Sequence, residues 1–372
     1  MKEHKTSTSF NRDESDFVAS ESPKKKKSKQ RKYLLSGTFL IVLMAVTFYV
    51  IFKDTSINDI WDVLKNVSLP YVFAGMLAML GFIIFQGIVI DLSAQCIKTK
   101  LTPWEALQYS FVSFFYSGIT PSSVGGQPMQ FYHMCRDKMS PSKATLVLFV
   151  TNMTYQIVIL VLGLIMFFTK LKFILSVHSA IVILFFLGLS VNLFILLILI
   201  GVMFSEDLLK RILKGVVSFF SKIKIIKNPE KVLRGIDRYL EEYESGIELV
   251  KTNGKRFFFI LLSTIAHFLL YHMIPYFVYR ALGFNEYSLF DFIAISAVLY
   301  VAVALFPLPG AVGAAESGFV MLFGSIFGAP ILTAMLLSRF INFYTMLIMS
   351  GCFSAFAQLR KPYNLSKGHS ME

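Results

Sequence analysis

The sequence predicts an all-α polytopic integral membrane protein with about six full transmembrane helices and two oppositely oriented re-entrant helical hairpins in an inverted repeat. Three observations carry this. The chain of 372 residues is 55% hydrophobic and only 16% charged, with a mean hydropathy of +0.63, whereas soluble domains carry about 25% charged residues. Uncharged apolar runs recur at the ~20-residue length that a spanning helix needs. Two Pro/Gly-rich turns lie within segments too short to cross a bilayer and return.

In chain order, residues 1–32 are rich in Ser, Lys and Glu and read as a disordered, basic cytoplasmic tail. The membrane domain then covers 33–360, and 361–372 form a second cytoplasmic tail. Its spans are Tyr33–Phe52, Pro70–Ile90, Ala144–Thr169, His178–Phe204, Phe257–Tyr279 and Pro330–Ala357. The first apolar run is too long for a signal-peptide core and lacks a small-x-small cleavage site. Positive residues fix the orientation. Lys24–Lys27, Lys29, Arg31 and Lys32 precede the first span, and Lys210–Arg256 form a basic block, so both read as cytoplasmic.

That assignment puts Lys98, Lys100, Arg136, Lys138 and Lys143 on the same side. The piece between them, about 103–134, must therefore enter and leave from the cytoplasm. It reads as a re-entrant hairpin with arms Trp104–Ile119 and Pro128 onward. A small outer loop is expected around Lys170–Val177. Residues 205–256 form a cytoplasmic loop holding twelve Lys/Arg against eight Asp/Glu. In its second half Asn228 and Pro229 suit a helix start, while Val232, Leu233, Ile236, Tyr239, Leu240, Tyr243, Ile247 and Val250 trace one apolar face. Asn253-Gly254 supplies the stop. Such a helix either lies on the inner leaflet or caps the bundle. A second hairpin, about 289–328, enters from the outside, with arms Leu289–Phe306 and Ser317–Phe327.

The net charge of +13 does not point to nucleic acid, because the basic residues flank membrane segments. They suit anionic inner-leaflet lipid, with each basic residue contributing roughly 1 kcal/mol. Cys96, Cys135 and Cys352 are odd in number and lack paired spacing, which argues against a disulfide framework or zinc site. They read as small apolar fillers.

The candidate site comes from the two turns and one charge. Pro121-Ser-Ser-Val124-Gly125-Gly126 aligns with Pro309-Gly-Ala-Val312-Gly313-Ala314 as P-x-x-V-G-small. Glycines at 125, 126, 310 and 313 permit close backbone approach, and half-helix N-termini in a membrane aim amide donors at anions. These glycines serve equally well to pack hairpin arms tightly. Arg339 lies about ten residues into its span, near the middle of a ~30 Å hydrocarbon core, where a charge costs at least ~2.5–3.5 kcal/mol. It either snorkels to the interface or meets a partner, and Glu316 is the carboxylate at matching depth. His267 and His272 are expected to make interhelical hydrogen bonds.

The strings Thr120-Pro-Ser-Ser-Val-Gly-Gly-Gln-Pro-Met-Gln130 and Pro307-Leu-Pro-Gly-Ala-Val-Gly-Ala-Ala-Glu316 resemble the paired signatures of the lysylphosphatidylglycerol synthase transmembrane region. That region is the flippase half of the bacterial multiple peptide resistance factor, and the resemblance covers most of 33–360. It implies a multi-pass protein of the bacterial plasma membrane that binds, and flips, an aminoacylated or other polar phospholipid such as lysylphosphatidylglycerol. Taken together, the turns, the intramembrane charges and the resemblance give the candidate substrate-binding residues Pro121, Gly125, Gly126, Gln127, Gln130, Pro309, Gly310, Gly313, Glu316 and Arg339. Many members carry Glu at the position of Gln127 and Arg at that of Gln130. The joint loss of both charges implies that the two positions interact. The full-length synthases also carry a soluble domain that transfers lysine from lysyl-tRNA. Only Lys361–Glu372 follows the last span here, so phosphatidylglycerol lysyltransferase activity by this chain alone is not expected. A separate lipid-modifying enzyme is a possible partner.

No G-x-S-x-G, H-E-x-x-H or G-x-x-x-x-G-K-[ST] string occurs. No cofactor, metal or ATP site is expected, and movement of a substrate would be downhill or gradient-coupled. An ion-coupled carrier of a small solute remains the third reading.

Overall fold

The computed structural model describes residues 65, 67–120, 123–177, 181–222, 229–303 and 314–359, and every described element is helical. The described residues belong to one compact unit, Val50–Glu372. The tail 1–32, the predicted span Tyr33–Phe52, the tail 361–372 and most of the second Pro/Gly turn lie outside them.

Five helical stretches among the described residues are long and apolar enough to cross a membrane: Leu69–Cys96, Pro141–Thr169, Ile181–Met203, Gly254–Ala281 and Ile331–Ala357. They coincide with five of the six predicted runs. α1 (Leu69–Cys96) starts with Pro70 in its first turn, where a missing N–H costs nothing. α2 (Pro103–Gly118) opens with a reciprocal Thr102/Glu105 capping box. α3 (Gly126–Arg136) returns antiparallel to it: Gln130 Nε2 donates to the Tyr109 carbonyl at 3.2 Å, and Tyr109 Oη to Asp137 Oδ2 at 3.1 Å. α4 (Pro141–Thr169) follows.

Where an outer loop was expected, a short helix α5 (Leu171–Val177) forms. Its Ile174 is buried in the main apolar cluster, and that burial favours a helix over an exposed loop. Lys170, just before it, pairs with Asp291 at 2.8 Å. Burial alone raises the Asp291 carboxyl, but the bonds from Lys170 and Ser288 outweigh it and hold the group below its ordinary value.

α6 (Ile181–Phe204) leads to two amphipathic helices, α7 (Glu206–Lys222) and α8 (Pro229–Thr252). Sequence reasoning anticipated only α8. The structure decides its role: Leu240, Tyr243, Ile247 and Val250 are buried against the ends of the apolar helices, so α8 caps the bundle. Polar bonds fix it there. Ser140 Oγ donates to Glu242 Oε1 at 2.6 Å and Ser142 Oγ to the Tyr239 carbonyl at 3.1 Å. Beyond the cap, Arg256 reaches the Gln95 carbonyl at 2.7 Å, which satisfies a carbonyl near the end of α1. Asn228 and the side chains of Val232, Leu233 and Ile236 lie outside the described set.

α9 (Gly254–His272) and α10 (Ile274–Ala281) form one span broken at Met273, just before Pro275. Gly283, with φ of +88°, ends it. α11 (Leu289–Val303) and α12 (Ala314–Phe327) form the second helical hairpin, its arms locked by Phe292, Phe319, Phe323 and Phe327. The last span runs through α13 (Ile331–Arg339), a π-helical turn Phe340–Tyr344, and α14 (Thr345–Leu359).

The same packing occurs in both halves. α14 crosses the first arm of the first hairpin: Phe111 stacks on Phe353 at 4.2 Å, and a Cβ on Gly351 would stand 3.0 Å from Phe115. α4 crosses the first arm of the second hairpin, where a Cβ on Gly163 would stand 2.8 Å from Val301. Gly163 and Gly351 are 188 residues apart, and so are the starts of the two returning arms, Gly126 and Ala314. The helices that open the halves, α1 and α9–α10, run antiparallel. Gly75 faces Phe277, Gly81 faces Leu270, and Phe82 stacks on His267 at 3.9 Å. Glycine at these crossings lets helices approach where lipid gives no hydrophobic drive for association.

Candidate functional site

Arg339 closes α13 immediately before the π-helical turn, and Glu316 sits in the first turn of α12. That helix start is a favourable place for a carboxylate, because unpaired amides and the helix dipole concentrate positive potential there. Arg339 Nε lies 2.8 Å from Glu316 Oε1. Glu316 is only 6% exposed, and the guanidinium carbon stands 5.8 Å from the Phe343 ring centroid. Arg339 therefore meets a partner instead of snorkelling outward. Its Nη2 is buried and has no hydrogen-bond partner, and the same is true of Asn342 Oδ1 one turn on. π-helical turns inside α-helices concentrate at functional positions, and this one directly follows Arg339 and contains Asn342. Sequence reasoning missed Asn342; an amide three residues from an intramembrane arginine was the available signal.

In the first hairpin, hydrogen bonds gather the residues flanking the turn. Thr120 Oγ1 donates to the Tyr116 carbonyl at 2.6 Å and accepts from the Gly125 amide at 2.9 Å. Ser123 takes the left-handed conformation, φ 54°, which is costly for a residue with a Cβ. Gly126 starts α3 against α2 so closely that a Cβ there would stand 2.6 Å from the Ser113 carbonyl oxygen. Only glycine fits that crossing. The returning arm thus begins two residues before Pro128.

Two predicted relations need correction. Gln127 and Gln130 do not bond each other: Gln127 Nε2 donates to Asn152 Oδ1, and Gln130 is buried with its amide on the Tyr109 carbonyl. On a helix, residues three apart share a face, but here the first looks toward α4 and the second toward α2. Nor are all three cysteines interior fillers. Cys96 is buried, Cys135 half-buried and Cys352 exposed, and all three are free thiols. The histidines behave as expected, His267 bonding the Phe82 carbonyl at 2.7 Å and His272 the Ser296 hydroxyl at 2.9 Å. Of the predicted site residues, the structure pairs Glu316 with Arg339 and gathers Gly125, Gly126, Gln127 and Gln130 in one hairpin. Pro121, Pro309, Gly310 and Gly313 lie outside the described residues.

The model of the lysylphosphatidylglycerol synthase TM region matches residues 34–350. The chain belongs to this family. The match spans both hairpins and the Glu316–Arg339 pair. A relative, a UPF0104 membrane protein of Archaeoglobus fulgidus, is 25% identical over 308 residues, which cover 82% of this chain and 92% of that protein. As a member of this family with five membrane-length helices among its described residues, the chain is a multi-pass membrane protein.

Proposed function

We propose that this protein binds a phospholipid by its polar head group beside Glu316 and Arg339 and moves it across the bilayer of a plasma membrane. One observation carries the reading: a buried ion pair between a membrane-length span and a shorter apolar helix leaves a guanidinium N–H unused. A structural arginine at that depth would be expected to spend its donors on protein acceptors, since an unmet buried donor costs about 1–3 kcal/mol. A phosphodiester oxygen is the natural acceptor in a bilayer. Glu316 beside it supplies the opposite sign, so the site suits a zwitterionic or amine-bearing head group such as that of lysylphosphatidylglycerol.

The architecture supports movement as well as binding. The two hairpins read as re-entrant from opposite faces, because the packing of each half recurs in the other while the opening helices run antiparallel. Inverted repeats of this kind carry substrates at the midplane through alternating access. That same symmetry favours a second reading, an ion-coupled carrier of a small solute. The family's name supports a lipid cargo over a free solute.

Proteoliposomes with fluorescent phosphatidylglycerol or an aminoacylated analogue test this. The wild-type chain should translocate label faster than protein-free vesicles, and the charge-conserving double variant Glu316→Gln/Arg339→Gln should lose that rate while remaining folded. Equal rates for wild type and double variant would remove the lipid reading. Solute uptake independent of the lipid present would establish the second one.

A further inference from the structure

We propose that Gln127 and Asn152 are positioning residues, forming an uncharged clasp that fixes the first hairpin as Glu316–Arg339 fixes the second, and that this neutral clasp is the one that opens. The two pairs occupy corresponding places. Each joins the first turn of a returning arm, α3 or α12, to the helical span that follows, α4 or α13. Gln127 and Glu316 are 189 residues apart, and Asn152 and Arg339 are 187 apart. These separations bracket the 188 that relates Gly163 to Gly351. A pair of side chains on the same two elements of each half, each within one residue of the repeat distance, is a device of the architecture.

Their chemistry differs in the way that decides which one yields. Gln127 is exposed and its bond to Asn152 joins two neutral amides, whereas Glu316 is buried and salt-bridged to Arg339. Separating neutral amides where water or head groups can replace the bond is far less costly than separating a buried ion pair. Asn152 is held from behind, its Nδ2 donating to the Leu148 carbonyl at 2.7 Å, so its oxygen stays aimed while Gln127 leaves. The other end of α3 is anchored. Arg136 Nη1 bonds the Ala357 carbonyl at 3.0 Å, and Asp137 receives the Tyr109 hydroxyl. An arm fixed at its base and clasped by neutral groups at its tip swings at the tip. Ser123, four residues before Gln127, holds a left-handed conformation that is costly for a residue with a Cβ.

Hydrogen exchange of the full chain in nanodiscs tests this without any assumption about the cargo. Peptides covering 123–131 should exchange about tenfold faster than those covering 315–323, since exchange reports local opening. Gln127→Ala should accelerate the first set several-fold and leave the second unchanged. Gln127→Glu combined with Asn152→Arg, which rebuilds the charged clasp of the other half, should bring protection of 123–131 to the level of 315–323, while either charged single variant does not. The proposal is overturned if Gln127→Ala leaves exchange at 123–131 unaltered, if the wild-type second hairpin exchanges as fast as the first, or if the charged double variant gives no added protection.

Discussion

The first and second hairpins are built on the same plan and closed by opposite chemistry. Both begin with a capping box, Thr102/Glu105 in one and Ser288/Asp291 in the other. Both are crossed at a glycine, Gly351 or Gly163, by the span that follows the hairpin of the opposite half. Yet the first arm pair is tied to its following span by two amides and the second by an ion pair. The difference teaches that one backbone arrangement accepts two unlike closing pairs, neutral amides in one half and a buried ion pair in the other.

The ion pair is where the comparison breaks most severely. Arg339→Gln leaves Glu316 buried without its cation, and losing one partner of a buried pair costs about 3–5 kcal/mol. Thermal unfolding in detergent should show that loss, and adding Glu316→Gln should recover most of it. Packing should respond equally in the two halves. Gly163→Val and Gly351→Val each force a side chain against a neighbour 2.8–3.0 Å away, which costs about 1–3 kcal/mol of overpacking. Matching losses support the repeat, and a large effect at one glycine with none at the other would count against it. A smaller effect is expected from Gln127→Ala, about 1 kcal/mol or less, as the lost bond is between exposed neutral groups.

The smallest effect concerns acid. Because the Asp291 carboxyl is held below its ordinary value, its contribution is complete above about pH 4 and is lost as pH falls through the lowered value. Lys170→Met should lower stability at neutral pH by about 1 kcal/mol or less, since the pair is partly exposed, and should flatten the acid limb, with the variant and wild type converging as pH falls through the lowered value.

Much of this was legible in the sequence. Length and hydropathy located the five described spans, because lipid demands uninterrupted apolar helices. The charges of Lys98, Lys100, Arg136 and Lys138 marked 103–134 as a segment that turns back on itself, and Glu316 was matched to Arg339 by depth alone. What stayed hidden depends on side-chain direction. Gln127 and Gln130 looked like partners by spacing, but the close crossing at Gly126 aims one at Asn152 and turns the other against Tyr109. The π-helical turn, which sets Arg339 and Asn342, has no signature in composition. The short helix at Leu171–Val177 was hidden because lysines at 170 and 172 disguised its buried Ile174.

Native mass spectrometry of the wild-type chain and of Glu316→Gln/Arg339→Gln, extracted from identical membranes, tests the central claim most directly. The wild-type protein should retain a phospholipid bearing a polar head group, and the equally folded double variant should release it. Retention of the same lipid to the same extent by both would contradict a head-group site at this pair.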